Sequence, residues 1–408
     1  MTAATDIDTA DIIDGLHSFI QSVILPLEKE HHDLLEDHRQ LYDERGEYTA
    51  EVRGLMRQAR MASAAAGYYA MFCPADIGGG GQGSTAIFRT YESVYRTYGP
   101  GRLLIEQLVA HWATGPSFLC NEFTPELRDR LLPSILDGEV SLCFGMSEPD
   151  AGSDAWMMTT RARREGSEWV ISGTKQWTSN APYADYIYLF AVTDPELHRQ
   201  RKGGVSCFVV PMSAPGVTID SVIRLFGEIG GNEGITSFAD VRVPKENLVG
   251  AEGQGFKLAM GGVSMGRVYN CARAVGQSRW ALEKAVDYAK TRRTFGRPIA
   301  EHQGVSFKLA ESAMDIYAAR GAATDLVARL DRGEKPIREL AMAKAICAEA
   351  FLRVIERCMQ VCGGMGLTNE LRFYKAWQSA RIMQLGDGSA EILRETTAKR
   401  LFRGEVSF

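Results

Sequence analysis

The pattern of hydrophobic and polar positions changes from helical to β-type along the chain, and then back again. Between Ile12 and Asp137, stretches such as Ile12–Leu27 and Thr49–Ala66 are rich in Leu, Ala, Glu and Arg with few breakers, which predicts helices. From about Ser141, short β-branched and aromatic runs are separated by Gly, Pro, Asn and Asp, which predicts strands and turns. These runs are Trp169–Ser172, Tyr186–Val192, Val205–Pro211 and Val217–Ile219.

Helical patterning returns after Phe256. Apolar residues recur there at helical spacing on one face, at Val275, Leu282, Val286 and Ala289. A run without Pro or Gly from Arg338 to Val361 stops at two glycines, which is typical of a helix end. We therefore predict an α+β multidomain fold with a helical N-terminal domain (1–140), a central antiparallel β domain (141–255) and a C-terminal helical bundle (256–408).

Composition narrows the class of protein. The chain has 408 residues, of which 45% are hydrophobic and 24% charged, as in ordinary globular proteins. The net charge of −5 comes without a basic block, so no nucleic acid partner is predicted. The 8 cysteines form no CxxC pair, which predicts neither a metal site nor a disulfide framework. With no signal peptide in the acidic first residues and no long uncharged apolar run, we expect a cytoplasmic protein without a membrane span.

The stretch Arg381–Glu391, RIMQLGDGSAE, places one carboxylate, Asp387, between two glycines. Glycine on both sides frees the backbone and lets a ligand approach closely. If this acid points into an apolar cleft, burial raises its pKa, which suits a general base near neutral pH. An Asp that caps the following helical run, Ile392–Phe402, is the alternative for this stretch alone.

Two polar segments lie in the β-rich part of the chain. Phe144–Asp154, FGMSEPDAGSD, combines small residues, hydroxyls and exposed amides that can wrap a phosphate or hydrogen-bond a flat polar ring. A loop that makes its own turns is the alternative. Lys175–Asn180, KQWTSN, sets a Trp among hydroxyl groups, so that it can cover one face of an aromatic cofactor, and a core Trp is the alternative.

Two further segments lie in the C-terminal helical part. Thr291–Gln303, TRRTFGRPIAEHQ, surrounds a glycine-proline corner with arginines that can bind a pyrophosphate or end a solvated helix. Gln360–Gly366, QVCGGMG, has paired glycines that permit close backbone contact or cap the helix. By contrast, GGGGQG at Gly78–Gly83 does not follow a buried strand, which predicts a loop rather than a dinucleotide fingerprint.

The order and spacing of these segments, ending in LGDGSAE, resemble the acyl-CoA dehydrogenase family from about residue 10 to residue 405. GMSEPDAGSD is similar to the family's first signature, and QVCGGMG with the downstream acid is similar to its second. VRVPKENLVGAEGQGF and YAKTRRTFGRPIAEHQGVSFKLAE are similar to the family's joining and helical segments. The resemblance implies the acyl-CoA dehydrogenase fold, with a helical, a β and a second helical domain in succession.

The resemblance also implies bound FAD and assigns residues to it. The isoalloxazine and adjoining parts would be contacted by Phe144, Met146, Ser147, Gly152, Ser153, Trp177, Thr178 and Ser179. The FAD of a neighbouring subunit would be reached by Arg292, Phe295, Gln303, Gln360, Gly363 and Gly364. The nucleotide portion would be touched by Ser389 and Glu391.

By the same resemblance, Asp387 stands where the family carries its catalytic base, and the acyl-CoA site would be lined by Ser153, Ser264, Arg267 and Gly388. The implied reaction converts an acyl-CoA thioester to the 2-enoyl-CoA, with α-proton abstraction by the base and hydride transfer to flavin N5. An electron-transferring flavoprotein would accept the electrons, and a homotetramer built as a dimer of dimers is implied. The alternatives are a flavin-dependent oxidase of another activated C–H substrate, such as a nitroalkane, and a non-catalytic FAD-binding relative.

Several positions depart from the family pattern. The base is Asp387 rather than the usual Glu, as in a minority of members, so the carboxylate is one methylene shorter. Gly266 stands where some relatives carry their Glu base, so no second acid competes. Met157 replaces a small residue of the first signature and has a bulky neighbour in Trp156, and GGNEG at Gly230–Gly234 replaces a hydroxyl-rich stretch.

Overall fold

In the computed structural model, which describes residues 9–407, helices occupy the first and last parts of the chain and strands occupy the middle. The helices are α1 (Thr9–Phe19), α2 (Leu25–Glu30), α3 (His32–Glu36), α4 (His38–Leu41), α5 (Ala50–Ala65), α6 (Ser84–Tyr98), α7 (Pro125–Leu136), α8 (Pro195–Arg199), α9 (Gly255–Thr291), α10 (Gln303–Asp331), α11 (Ile337–Cys362), α12 (Phe373–Met383) and α13 (Ala390–Leu401). The strands are β1 (Leu142–Gly145), β2 (Arg161–Glu165), β3 (Glu168–Ser179), β4 (Tyr186–Val192), β5 (Val205–Pro211), β6 (Val217–Ile223), β7 (Glu233–Pro244), β8 (Leu248–Val249), β9 (Arg293–Thr294) and β10 (Arg297–Pro298).

The strands β1 to β8 form one twisted sheet. Its order is β6-β7-β3-β2-β4-β5-β8, with β1 paired to β4. Most pairings are antiparallel, as predicted, but β1 runs parallel to β4, and β2 meets β4 in a parallel bridge. The sheet is therefore mixed rather than purely antiparallel. The difference arises because β1 pairs with β4, from which β2 and β3 separate it in sequence, and a local sequence pattern does not reveal such a long-range parallel pairing.

The described chain forms two compact units that are each assembled from separate stretches. The helical unit contains 9–18, Gly83–Arg102 and 263–407, and the sheet unit contains Phe19–Gln82 and Leu103–Gly262. The predicted order of helices, sheet and helices is confirmed. The predicted boundaries of three domains, 1–140, 141–255 and 256–408, stay a prediction, although the strands β1 to β8 fall between Leu142 and Val249.

The core of the sheet unit explains why the strong β runs form strands. Apolar side chains of β3, β4, β5 and β7 pack into one cluster that includes Trp169, Ile187, Leu189, Phe208 and Val241. β4 and β5 are buried along nearly their whole length, which matches their unbroken apolar sequences. This sheet carries KQWTSN on β3, and FGMSEPDAGSD begins at the end of β1.

The helical unit is organised around α11. Its buried residues recur along one side and include Leu340, Phe351, Val354 and Cys358, and it packs against α10, α12 and α13. Because α12 and α13 both lie on α11, the turn that joins them is also fixed against this helix. That turn contains Asp387.

Candidate active site

The Asp387 turn connects two helices of the helical unit. α12 ends at Met383 and α13 begins at Ala390. Asp387 has a φ of +53° and Gly388 a φ of +98°, so two consecutive residues adopt left-handed conformations. Glycine adopts this conformation readily, whereas a residue with a side chain does so less often. Ser389 caps α13, because its hydroxyl oxygen accepts the Ile392 N–H at 3.4 Å. The interpretation of Asp387 as the helix cap is therefore wrong, and its side chain is directed elsewhere.

Three side chains hold the Asp387 turn by hydrogen bonds. Asn270 donates from Nδ2 to the carboxylate Oδ2 at 2.8 Å. Arg267 donates from Nε to the Asp387 main-chain oxygen at 2.9 Å. Lys344 donates from Nζ to the Gly388 main-chain oxygen at 2.8 Å. The structure thus brings together the predicted residues Asp387, Arg267 and Gly388, and adds Asn270 and Lys344, which sequence reasoning missed.

Electrostatics favours a base at this position. Burial raises the pKa of Asp387, and the positive charges of Lys344 and Arg267 with the Asn270 hydrogen bond offset only part of that rise. Burial also lowers the pKa of Lys344 to about 8, against the opposing attraction of Asp387. The predicted effect of burial on the Asp387 pKa agrees with this environment. A partly buried carboxylate with a raised pKa is a better proton acceptor than an exposed one.

Glycine is strongly favoured at position 388 for two reasons. The φ of +98° is unfavourable for a residue with a side chain. A Cβ atom there would also lie 3.1 Å from Nη2 of Arg267. The glycine in the sequence therefore reflects the close approach of Arg267 as well as the turn itself.

In the sheet unit, a buried ion pair joins the two polar segments. Lys175 Nζ lies 2.8 Å from Glu148 Oε1 and donates to the Met146 carbonyl at 3.2 Å. Glu148 also accepts the Thr159 N–H at 2.6 Å and the Thr160 N–H at 3.0 Å. Burial opposes the ionisation of Glu148, but Lys175 and these donors outweigh it and lower its pKa to about 2. The pair fixes the first segment onto β3.

Trp177 is presented to solvent by an irregularity in β3. The register with β7 shifts between Lys175 and Thr178, and Trp177 has a φ of +61°. Its side chain is 53% exposed, so the alternative of a core Trp is wrong. A bulge that turns an aromatic ring outwards creates a surface on which a flat ring can stack.

The neighbouring residues predicted to contact FAD differ in exposure. Thr178 is buried, and its hydroxyl finds no partner among residues 9–407, whereas Ser179 is exposed. Phe144 packs between the rings of Trp112 and Phe190, at 4.7 and 4.8 Å between centroids. Its ring is thus occupied within the sheet unit.

The remaining residues of the first segment differ in their exposure. Met146 is buried, and the Ser147 carbonyl accepts the Gln176 N–H at 2.9 Å. Gly152 and Ser153 are exposed on the loop that follows. Ser147 and Gln176 thus tie the first segment directly to the strand that presents Trp177.

The predicted residues of the C-terminal segments lie on the surface of the helical unit. Phe295 is 95% exposed at the tip of the β9-β10 hairpin, with a φ of +49°. Gly363 and Gly364 end α11, and no atom would contact a Cβ placed on either of them. Exposed positions are also taken by Arg292, Gln303, Gln360 and Glu391, while Ser264 on α9 is partly buried. The hydrogen bonds of the Asp387 turn described above come from Asn270, Arg267 and Lys344.

Two departures noted in the sequence have structural explanations. Trp156 stacks on Phe256 at 4.1 Å between ring centroids, whereas Met157 is exposed. At GGNEG, a Cβ on Gly230 would lie 2.2 Å from the Tyr42 ring. The glycine there serves packing against the sheet unit's own tyrosines.

The residues that sequence reasoning missed gave weak signals. Lys344 stands as a lone cation in an otherwise apolar stretch of α11, and Asn270 lies one helical turn after Arg267 at i+3. Glu148 and Lys175 lie inside the segments FGMSEPDAGSD and KQWTSN, in which other residues carry the predicted contacts. Nothing local in the sequence reports that these side chains are buried.

Residues 9–407 contain neither a membrane-spanning helix nor a cluster of metal ligands. No helix in this range combines the length and apolar character needed to cross a membrane. No group of three or more His, Cys, Asp or Glu in the same range could hold a metal ion. All 8 cysteines are buried and unpaired by disulfides.

Two family models match the chain. The model described as "Acyl-CoA dehydrogenase, middle domain" matches residues 143–241. The model described as "Acyl-CoA dehydrogenase, C-terminal domain" matches residues 253–402. The second match includes Arg267, Lys344 and Asp387, and the first includes Glu148 and Trp177.

Curated relatives and solved structures are similar over most of the chain. The short-chain specific acyl-CoA dehydrogenase of Homo sapiens mitochondria is 35% identical over 83% of this chain and 80% of that protein. A 3-(aryl)acrylate reductase of Clostridium sporogenes is 30% identical over 83% of this chain and 88% of that protein. The butyryl-CoA dehydrogenase of Megasphaera elsdenii has a TM-score of 0.80 and 27% identity, with 99% of this chain and 100% of that chain covered.

Proposed function

Since the chain belongs to the acyl-CoA dehydrogenase family, we propose that it oxidises an acyl-CoA thioester to the 2-enoyl-CoA with Asp387 as the base. It is an oxidoreductase, and its reaction is a dehydrogenation of the acyl-CoA dehydrogenase type. The observation that carries the proposal is the Asp387 turn, where a carboxylate with a raised pKa accepts a hydrogen bond from Asn270 while Arg267 donates to the Asp387 main-chain oxygen.

The chemistry assigns a separate role to each group at the turn. The α-proton of a thioester is only weakly acidic, so its removal needs a positioned base and a polarised carbonyl group. Asp387 takes this proton on its carboxylate, and Asn270 orients that carboxylate. The Asp387 backbone N–H is the donor that we propose for the thioester oxygen. Arg267 and Gly388, with Ser264 and Ser153, are the proposed contacts for the acyl-CoA.

FAD is the cofactor of the reaction and, when bound, accepts the β-hydrogen as a hydride. The residues of the sheet unit fit this cofactor, because Trp177 offers an exposed ring, Gly152, Ser153 and Ser179 are also exposed, and the bond from Gln176 to Ser147 joins their two segments. We propose that these residues hold the flavin. Arg292, Phe295, Gln303, Gln360, Gly363 and Gly364 are exposed, which suits contacts to the FAD of a neighbouring subunit.

The use of Asp instead of Glu places this chain, in our proposal, in a subset of the family. The Asp side chain is one methylene shorter than that of Glu, and the left-handed φ of Asp387 sets the direction in which the carboxylate points. Gly266 supplies no carboxylate, so we propose no second base.

The proposed partners follow from the family and from exposed surface. An electron-transferring flavoprotein is the proposed electron acceptor. A homotetramer is the proposed assembly, because α10 exposes the large apolar side chains of Phe307, Met314 and Tyr317. Large exposed apolar surface on a single chain is typical of a subunit interface.

The first test is the visible spectrum of the holoenzyme without oxygen, before and after addition of acyl-CoA thioesters. The series contains butyryl-CoA together with thioesters whose acyl groups are longer, branched or aryl-substituted. Bleaching of the flavin bands by one of them supports the proposal and identifies the substrate. Persistence of the bands with every thioester contradicts it, and bleaching by a nitroalkane alone favours the oxidase alternative.

Asp387→Asn tests the base. We expect this variant to retain FAD and to lose turnover by about 10²–10⁴-fold, because a general base contributes about that factor. Turnover near the wild-type rate would show that Asp387 is not the base. Thr397→Ala on α13, which removes a hydroxyl bonded within its own helix, is the control for a change on the neighbouring element.

A further inference from the structure

Lys344 is a buried cation that the proposed dehydrogenation does not use. It lies on α11, is 1% exposed, and donates from Nζ to the Gly388 carbonyl oxygen at 2.8 Å. Burial of an ammonium group is unfavourable unless its surroundings compensate for the lost water. A lysine here therefore needs a local reason, and its hydrogen bond leads to the Asp387 turn.

That turn has an unfavourable backbone. Asp387 is a non-glycine residue with a φ of +53°, followed by Gly388 at +98°. Such a conformation persists where the surrounding structure determines it. Here two cations fix consecutive carbonyl groups: Arg267 donates to the Asp387 oxygen at 2.9 Å and Lys344 to the Gly388 oxygen at 2.8 Å. The two bonds approach from α9 and α11, so the turn is held by two different helices.

We propose that Lys344 is a positioning residue, which holds the Asp387–Gly388 turn through the Gly388 carbonyl and places a positive charge beside the Asp387 carboxylate. The inference rests on the proposed function, in which Asp387 is the base. It assigns to Lys344 no contact with the substrate. Its effect on catalysis runs through the direction and the ionisation of Asp387.

The charged and titratable groups near this carboxylate come from α9 and α11. Arg267 and Arg273 on α9 and Lys344 on α11 all favour its ionisation, and Asn270 on α9 donates a hydrogen bond to it. Cys271 on α9 lies near both Lys344 and Arg267. Among these cations, Lys344 lowers the pKa of Asp387 most, and Arg267 follows.

This arrangement predicts a pH profile with two limbs. At low pH, Asp387 takes up a proton and activity falls. Burial lowers the pKa of Lys344 to about 8, so at higher pH the ammonium becomes an amine, which binds the Gly388 carbonyl less strongly than a charged donor does. We expect kcat of the wild type to fall above about pH 8 for this reason.

The test compares Lys344→Met and Lys344→Arg with the wild-type holoenzyme. The substrate is the thioester that bleaches the flavin most completely in the series above, and kcat and KM are measured across pH. In Lys344→Met we expect kcat at pH 7 to fall about tenfold or more, because small displacements of a catalytic group have large effects. KM should change by less than about threefold, since a positioning effect on the base mainly lowers kcat.

The low-pH limb separates charge from packing. In Lys344→Met it should move to higher pH, because a positive charge beside Asp387 is lost. In Lys344→Arg it should stay at the wild-type position, since the charge is kept. The high-pH limb should disappear in Lys344→Met and also in Lys344→Arg, because a guanidinium does not titrate in this range.

Arg353→Met is the matched control, because it removes a cation from the same helix. Arg353 pairs with Asp315 at 2.7 Å and lies nine residues after Lys344, or about 13 Å along α11. Its pH profile should follow the wild type. FAD content and melting temperature are recorded for every variant, so that loss of the folded holoenzyme is recognised.

The outcomes distinguish the inference from the proposed function. The role of Lys344 is overturned, and the proposed function stands, if a thioester bleaches the wild-type flavin but the low-pH limb of kcat is identical in Lys344→Met, Lys344→Arg and the wild type. Flavin that no thioester bleaches in the wild type overturns both. If Lys344→Met does not fold, the high-pH limb of kcat in the wild type and in Lys344→Arg decides. A fall of kcat above about pH 8 in the wild type that is absent in Lys344→Arg supports the inference. The same fall in both proteins overturns it.

Discussion

At the scale of single residues, three residues of the candidate site share one unusual backbone property. Trp177, Phe295 and Asp387 have φ values of +61°, +49° and +53°, and each is a residue with a side chain. Such conformations cost about 1–3 kcal/mol each and tend to be found where function requires a side chain in a particular direction. The rings of Trp177 and Phe295 are exposed, whereas the carboxylate of Asp387 is partly buried. The three side chains therefore serve different kinds of contact.

The raised pKa of Asp387 has a consequence for stability. The folded protein holds the Asp387 proton more tightly than the unfolded chain does, because burial disfavours the carboxylate. Stability from this group is therefore present at pH values below the unfolded pKa and is lost as pH rises through the folded pKa. We expect Asp387→Asn, which does not titrate, to gain stability relative to the wild type as pH rises, until Asp387 is fully ionised. Apparent melting temperatures of the two proteins between pH 4 and about 8 measure this.

Asp315→Asn provides a control of opposite sign in the same unit. Hydrogen bonds from Arg353 and Arg357 outweigh burial and lower the pKa of Asp315, so this carboxylate stabilises the fold above its unfolded pKa and less so below it. Asp315→Asn should therefore lose stability relative to the wild type as pH rises. A melting difference for Asp387→Asn that does not change with pH would contradict the account of its environment.

Prediction of single residues from sequence succeeded where neighbouring residues in the chain carry the signal. Two glycines around one acid indicate a special turn, and the structure places Asp387 and Gly388 in one. The same pattern could not reveal Lys344, which reaches Gly388 from 44 positions away. A buried cation among apolar residues of a long helix has the same local appearance as one that extends to solvent.

At the scale of elements, prediction was accurate for strands that are buried on both faces. β4 and β5 have the predicted bounds, because their apolar runs are unbroken. β2, with the sequence RARRE, and β7 were missed, because exposed charged residues conceal the alternation. β3 extends past the predicted Ser172 through Gly173, where a Cβ would lie 2.3 Å from Thr160 Oγ1. That extension depends on pairing with β7, more than 50 residues away in sequence.

The ion pair between Glu148 and Lys175 yields a prediction about the element it joins. Glu148→Gln leaves the buried Lys175 without its counter-charge, and we expect a loss of about 3–5 kcal/mol in the free energy of unfolding. Lys175→Met should cost a similar amount. The double variant should be more stable than the sum of the two losses implies, because neither charge then remains unpaired. Denaturant unfolding of all four proteins, with FAD release followed by fluorescence, measures both effects.

Glu165→Gln is the control for a lost ion pair on the same sheet. Glu165 binds Arg242 at 2.7 Å on the surface, where water replaces a lost partner, so its removal should change stability far less. Strictly additive losses in the double variant of Glu148 and Lys175 would contradict the idea that the two charges are coupled. Unchanged FAD retention in both single variants would separate the pair from the flavin site.

At the scale of the whole molecule, composition predicted the order of helical and β segments but not how they assemble. The helical unit gathers the start of the described chain, Gly83–Arg102 and the C-terminal part, while the sheet unit gathers two other stretches. Local patterns report the type of an element, whereas the partner of each element depends on long-range packing. The change from helical to β patterning is a local signal, whereas the packing of α6 with α10 in the helical unit is a long-range contact.

The exposed apolar side chains of the helical unit lead to a prediction about assembly. Met314 and Tyr317 lie on α10 and are largely exposed, and a homo-oligomer would cover such surface. We expect Met314→Glu/Tyr317→Glu to dissociate into smaller species in sedimentation velocity experiments, because carboxylates resist burial in an interface. Lys29→Glu on α2 changes the net charge by the same amount at an exposed position and should keep the wild-type assembly. If the double variant sediments like the wild type, α10 does not form the interface. If the wild type is itself a monomer that retains FAD, the proposal that neighbouring subunits share the cofactor fails.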